Sequence, residues 1–118
     1  MEEEWRDING FENYYQVSSL GRVRSVDRTL VLKNGRFHRR RGKILTPVKN
    51  KVSGFLQVML IVHCKMRLMY VHRLTAEAFV ENPNPKEYNC VLHKDGNLQN
   101  NNVNNLVWAK KNKKLNVI

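Results

Sequence analysis

The stretch of the chain that reads most clearly as core is GFLQVMLIVHCKMRLMYVHRLTAEAFV at 54–80. Its pattern predicts a strand over 55–62, a turn at His63-Cys64-Lys65 and a second strand over 66–71. A helix then runs from about His72 to Phe79, with Leu74, Ala78 and Phe79 as the buried stripe at helical spacing. ENPNP at 81–85 ends that helix, because a residue before proline is pushed out of the α region. A chain of 118 residues around this single core makes one compact domain or two very small modules sharing it. The longest apolar-rich run is far short of a membrane span, and MEEEWRDING lacks the basic start and apolar run of a secretory leader. The expectation is a soluble, intracellular (cytoplasmic) protein that is not secreted.

Charge is distributed unevenly around this core. Residues 22–73 hold fourteen Lys or Arg against one acid, Asp27, within a chain of net charge +11. Such asymmetry suits a surface that replaces counterions along a polyanion. A solvated basic face is the plainer explanation, and a membrane surface a third. No basic amphipathic helix is visible, which favours nucleic acid over membrane. The candidate contact residues are Arg22, Arg24, Arg28, Arg36, Arg39, Arg40, Arg41, Lys43, Lys49 and Lys51.

Upstream of the core, Trp5 and Ile8 anchor an acidic strand or turn, Asn9-Gly10 bends the chain, and YYQVS at 14–18 alternates as a strand does. Leu20-Gly21 is the next turn. In GRVRSVDR at 21–28, alternation puts Arg22 and Arg24 on one face and Val23 on the other. TLVLKNGRFHRRR at 29–41 reads as a hairpin, with Asn34-Gly35 supplying the positive φ angles of a tight primed turn. Its returning arm is almost wholly basic, so it is either flexible or laid on a phosphate backbone. GKILTPV then makes a short strand and connector, limited by Pro47.

Two cysteines, Cys64 and Cys90, with no CxxC pair, indicate neither a disulfide framework nor a zinc clip, and His38, His63, His72 and His93 are not spaced to complete one. His72 is read as ordering the corner between sheet and helix, and His63 as exposed. In NCVLHKDGNLQNNNVNNLVWAKKNKKLN at 89–116, a short strand Val91-Leu92 delivers His93 to its end. Asp95-Gly96-Asn97 turns, an Asn-rich loop leads to Asn105-Leu106-Val107-Trp108, and a basic helix closes the chain. Trp108 is read as core. The asparagines of 100–105 either contact DNA or hold the loop by side-chain-to-backbone bonds.

This stretch resembles the HNH homing endonucleases, whose signature is a His followed by a DGN-type turn, an NN pair, an NL-x-W segment and a short helix. VHRLTAEAFVENPNP at 71–85 is similar to the segment before that signature, and WRDINGFENYYQVSSLGRVRSVDR at 5–28 looks like a nuclease-associated modular motif. Three segments in the family's order cover more than half of the chain. The resemblance implies an origin in a phage or mobile element and a divisible chain: a modular motif at 1–28, a basic hairpin and connector at 29–53, and an HNH-like domain at 54–118. It implies His93 as the base that activates water, since a neutral imidazole suits proton abstraction near neutral pH. Asn105 matches the family's middle Asn, which orients the histidine, while Asp95 is read as forming the turn.

Phosphodiester hydrolysis in this family also implies a divalent cation, Mg²⁺ or Mn²⁺ rather than zinc, on oxygen ligands. The family's ligand positions fall here on Leu92 and Lys114, neither of which can ligate. Asn112 and Asn116 flank Lys114, each about 200° around a helix from it, and are the substitute candidates. The expected fold is α+β: short antiparallel strands and hairpins, a middle sheet-plus-helix, and a C-terminal ββα-metal-like HNH unit. The expected function is metal-dependent cleavage of double-stranded DNA. The alternative is a scaffold that lost the metal and binds DNA or an acidic protein partner.

Overall fold

The computed structural model describes residues 2–110. Strands β1 (Trp5–Asp7), β2 (Tyr15–Ser18) and β3 (Val23–Ser25) form an antiparallel sheet in the order β1-β2-β3. Strands β4 (Arg28–Val31) and β5 (Phe37–Arg40) pair only with each other. A third sheet joins β6 (Val48–Lys49), β7 (Leu56–Val62) and β8 (Lys65–Tyr70) in that order. Helix α1 (Val71–Phe79) follows without a break, and β9 (Cys90–His93) pairs antiparallel with β10 (Leu106–Ala109). The central hairpin and helix therefore fall where their periodicity predicts. The closing helix expected after β10 lies outside the described residues, so of the expected ββα unit only the two strands are described here.

Alternation on β2, β3 and β7 sends Val17, Val23, Val58 and Leu60 inward to meet Val71 and Leu74 of α1, so the N-terminal and middle sheets share one core. Fully buried side chains such as Leu60 and Val17 each contribute roughly 1.5–3 kcal/mol over an exposed position. The helix has a second buried side. Ala76 packs with Val91 and Leu106 of the β9–β10 pair, with Trp108 at the margin. The buried residues of α1 are accordingly Val71, His72, Leu74, Thr75 and Ala76. Ala78 and Phe79 are only half-buried, because Arg6 closes that end: its guanidinium lies 4.5 Å from the Phe79 ring and donates to the Ala78 carbonyl at 2.6 Å. The expected stripe of Leu74, Ala78 and Phe79 is thus corrected by the packing of α1 between two layers.

Turn chemistry also differs from expectation. In the β4–β5 hairpin, Leu32 pairs with Arg36 and Gly35 N donates to Leu32 O at 2.9 Å. Among residues 33–35 only Gly35 has positive φ, at 81°. This is a three-residue loop, a type I turn closed by a left-handed glycine, and not a tight primed turn on Asn34-Gly35. The primed geometry occurs instead between Val62 and Lys65, where His63 and Cys64 have φ of 51° and 63°. In GKILTPV, Ile44 makes a lone bridge to Arg24 and the first strand residue is Val48. Among the described residues no helix is long and apolar enough to cross a membrane.

Candidate active site and nucleic-acid interface

His93 is the last residue of β9, opposite Leu106 at the start of β10. Its Nε2 lies 2.7 Å from Asn101 Oδ1. With the amide oxygen on this side, a neutral His93 carries its proton on Nε2 and keeps the Nδ1 lone pair, the form that can accept a proton, while the buried Asn101 Nδ2 has no hydrogen-bond partner among the described residues. Asn101 is itself buried and packs under the turn at Gly21, where a Cβ would stand 2.5 Å from the Asn101 carbonyl oxygen. Val103 N donates to Ser19 O at 2.9 Å in the same corner. The N-terminal sheet thereby supports the residue that fixes the His93 tautomer.

Asn105 ties the loop, and among the described residues its side chain makes no hydrogen bond to His93. Its Oδ1 accepts from Asp95 N at 3.0 Å, and its Nδ2 donates to Asp95 Oδ1 and to Asn100 O, both at 2.9 Å. Asp95 forms the turn: Asn97 N and Asn100 Nδ2 also donate to its carboxylate. These bonds, Asn100 first, hold its pKa below the ordinary carboxylate value. Gln99 N and Asn104 N bond to the side-chain oxygens of Asn97 and Asn102, so these asparagines maintain an irregular backbone. Trp108 donates to Val80 O at 2.9 Å at the edge of the second core cluster, a packing role.

An open cavity of about 650 Å³ adjoins His93, walled by Phe55, Tyr70, His72, Leu92 and Leu98. Phe55 stacks on His72 with ring centroids 4.4 Å apart and on His93 at 5.9 Å. His72 is buried, and among the described residues its Nδ1 has no hydrogen-bond partner. Burial first, then the neighbouring His93 and Arg73, lowers its pKa to about 4. The unfolded chain takes up this proton below about pH 6.5 and the folded one does not, so acid favours unfolding. Stability should therefore fall by up to about 3 kcal/mol as pH drops from 6.5 towards 4. Urea midpoints between pH 7 and 5 measure it, and His72→Phe should flatten the slope. An equal slope in that variant would show that His72 is not the group responsible.

The cation that HNH chemistry implies finds no ready donor set here. Leu92, beside His93, is exposed and offers no ligand atom, and the Asp95 carboxylate already accepts three hydrogen bonds that hold the turn. No three His, Cys, Asp or Glu converge among the described residues. The residues present around His93 do not by themselves fit a cation site. Asn112, Lys114 and Asn116 lie outside the described residues.

Among the basic residues, Val23 is buried while Arg22 and Arg24 stand together over Trp5, as alternation predicts. Both also have partners in the fold. Arg22 pairs with Glu3, whose carboxyl it holds below its usual pKa, and Arg24 donates twice to Gln16 Oε1, at 3.0 and 2.7 Å. Arg28 lies over Tyr14 at 4.7 Å. Arg36, Arg39, Arg40, Arg41, Lys49 and Lys51 are exposed, with Arg39 4.0 Å from Asp27. Lys43 is exposed as well, and its backbone bonds Ser25. Register sets Arg28 directly opposite Arg40, a like-charge pair that disfavours the hairpin unless an anion lies between them. Among the described residues, Asp27 is the one acid that the arginines of this hairpin reach.

Sequence reasoning reads Gly21 only as a turn residue, Asn101 only as one of the loop asparagines and Phe55 only as the start of a strand, with no part in the site for any of them. Asn101 is one asparagine of many, and the contacts of the other two are made across long sequence separations.

Comparison with known proteins places these features in context. The profile of the NUMOD4 motif matches residues 3–61. The DNA endonuclease I-HmuI of Bacillus phage SP01 is 37% identical over 106 residues, covering 90% of this chain and 52% of that protein. An uncharacterized HNH endonuclease of Acanthamoeba polyphaga mimivirus is 41% identical over 81 residues, 68% of this chain and 24% of the relative. The chain thus spans about half the length of the first of these and a quarter of the second. A solved structure described as DNA binding and cleavage by the HNH homing endonuclease I-HmuI superposes with a TM-score of 0.71 at 37% identity. The match covers 97% of this chain and 55% of that one.

Proposed function

Because the chain belongs to the HNH homing endonuclease family and carries a NUMOD4 motif in its N-terminal half, we propose that it binds duplex DNA and hydrolyses its phosphodiester bonds with His93 as general base. The observation that carries this reading is the 2.7 Å contact between His93 Nε2 and Asn101 Oδ1, which leaves Nδ1 as the proton acceptor at the end of β9. Asn105 is a positioning residue that keeps the loop carrying Asn101 in place. The bases of 22–51 and the middle sheet hold the duplex, with the exposed arm Arg39, Arg40 and Arg41 on the phosphates. In this reading residues 1–28, 29–53 and 54–118 are the working divisions of the chain, which acts inside the cell and descends from a phage or mobile element.

His93 takes the proton of the attacking water at Nδ1 while Nε2 stays on Asn101, and the ring becomes imidazolium against the Phe55 face. A divalent cation, Mg²⁺ or Mn²⁺ and not zinc, would neutralise charge on the phosphoryl group, with Asn112 and Asn116 as its candidate protein donors. A second reading, a DNA-binding module without cleavage, is favoured by the exposed Leu92 at a position where the family's ligand would stand.

Either reading requires salt-sensitive binding. Replacing Arg39, Arg40 and Arg41 together by Ala should flatten the plot of log affinity against log salt by about 0.9 for each phosphate no longer neutralised. Filter binding of a labelled duplex from low to physiological salt measures it. Wild-type affinity indifferent to salt would remove the nucleic-acid reading and point to an acidic protein partner.

A further inference from the structure

An imidazole is a costly choice at position 72. The side chain is buried at the start of α1, its Nδ1 bonds nothing among the described residues, and a carbon ring would avoid that penalty. Stability alone does not account for it. Its surroundings call for a flat ring: His72 stacks on Phe55 at 4.4 Å and stands 5.2 Å from the His93 ring, with Tyr70 5.4 Å away. Among the described residues the His93 ring thus has one hydrogen bond, to Asn101, and two ring neighbours, Phe55 nearly parallel to it at 22° and His72 tilted at 51°. A single bond fixes one atom of a ring and leaves it free to swing about that point. Rings packed on two sides restrict the swing.

We propose that His72 is a positioning residue for His93, its neutral ring serving with Phe55 as the wall that keeps Nε2 on Asn101 and Nδ1 open to the reacting water. A neutral neighbour also places no like charge beside His93 when that residue becomes imidazolium, and the Phe55 face within about 6 Å favours the cation. Tyr70, Arg73 and the free thiol Cys90 are the other titratable or charged groups on the same cavity. Arg73 is drawn away from His93 by Glu77 at 3.7 Å, the Asn89 carbonyl at 2.8 Å and the Trp108 ring.

The inference rests on His93 as the proton acceptor, but its test needs neither DNA nor turnover. Long-range ¹H–¹⁵N spectra of the free protein report the tautomer of each histidine. Wild-type His93 should be a single Nε2–H tautomer. In His72→Ala, with a backbone amide spectrum showing the fold intact, the two His93 nitrogen resonances should move towards each other as the ring exchanges between tautomers. His72→Phe, which restores a flat neutral wall, should return the single tautomer. His72→Leu fills the volume without a flat face and should not, so it serves if the alanine variant fails to fold. In cleavage assays His72→Ala should lower kcat by about 10- to 100-fold with KM little changed. A folded alanine or leucine variant that keeps His93 in the wild-type tautomer overturns the inference. A wild type with the single tautomer and no cleavage overturns the nuclease reading instead and leaves the positioning role supported.

Discussion

Alanine in place of His93 is expected to slow duplex cleavage by roughly 100- to 10,000-fold, the usual size of a general-base contribution, while the Kd for DNA stays within about twofold. The separation follows from where the residue sits. His93 is a half-buried ring at the end of β9, held by Asn101, and the exposed bases that would meet phosphates are on the β4–β5 hairpin and the turn after β6. Removing the ring takes away the proton acceptor and leaves those bases in place. Single-turnover cleavage, measured beside equilibrium binding of the same duplex, distinguishes the two effects. Robust cleavage by the alanine variant would show that another group activates the water.

The second large effect belongs to a residue with no chemistry. Gly21→Ala is expected to destabilise the fold by about 2–5 kcal/mol, combining about 1–2 for an L-residue held at left-handed φ with about 1–3 for overpacking. Gly21 has φ of 85°, and a Cβ there would meet the Asn101 carbonyl carbon and side chain at 2.7 Å, both in a tightly packed corner. The melting temperature should fall by on the order of 10–20 °C. Gly10→Ala is the control: its φ is 89°, but a Cβ there meets nothing within 4 Å, so only the backbone cost of about 1–2 kcal/mol remains. Equal destabilisation in the two variants would mean that the approach of Gly21 to Asn101 carries no strain. The link also runs to function, because whatever displaces Asn101 releases His93 Nε2.

Much of this arrangement is legible in the residues, for reasons that can be named. The core hairpin and α1 are readable because a seven-residue alternation and a helical stripe are strong local signals, and β7, β8 and α1 fall within a residue or two of the expected bounds. Val23 inward and Arg22 with Arg24 outward follow from strand alternation alone. Their partners do not, since Glu3 is nineteen positions from Arg22 and no local pattern joins them. The two sides of α1 are hidden because the β9–β10 pair that buries Ala76 arrives only later in the chain. Residue preference points to Asn34-Gly35 for the primed turn, but register makes His63 and Cys64 take it, tertiary pairing overriding turn chemistry. The role of His93 comes from resemblance. Its bond to Asn101 cannot be singled out in a loop crowded with asparagine.

The measurement closest to the central claim is the initial rate of duplex cleavage against Mg²⁺ and Mn²⁺ concentration, for wild type, His93→Ala and Leu92→Asp with Lys114→Asn side by side. The account predicts weak wild-type cleavage that needs millimolar cation, because the described residues around His93 supply so few free oxygen donors. It predicts almost none in His93→Ala, and faster cleavage at lower cation concentration in the double variant, which rebuilds both ligand positions beside an existing base. Cleavage that ignores the cation, or that His93→Ala leaves intact, would contradict it. So would a double variant that binds DNA, keeps its fold and still cuts no better than wild type.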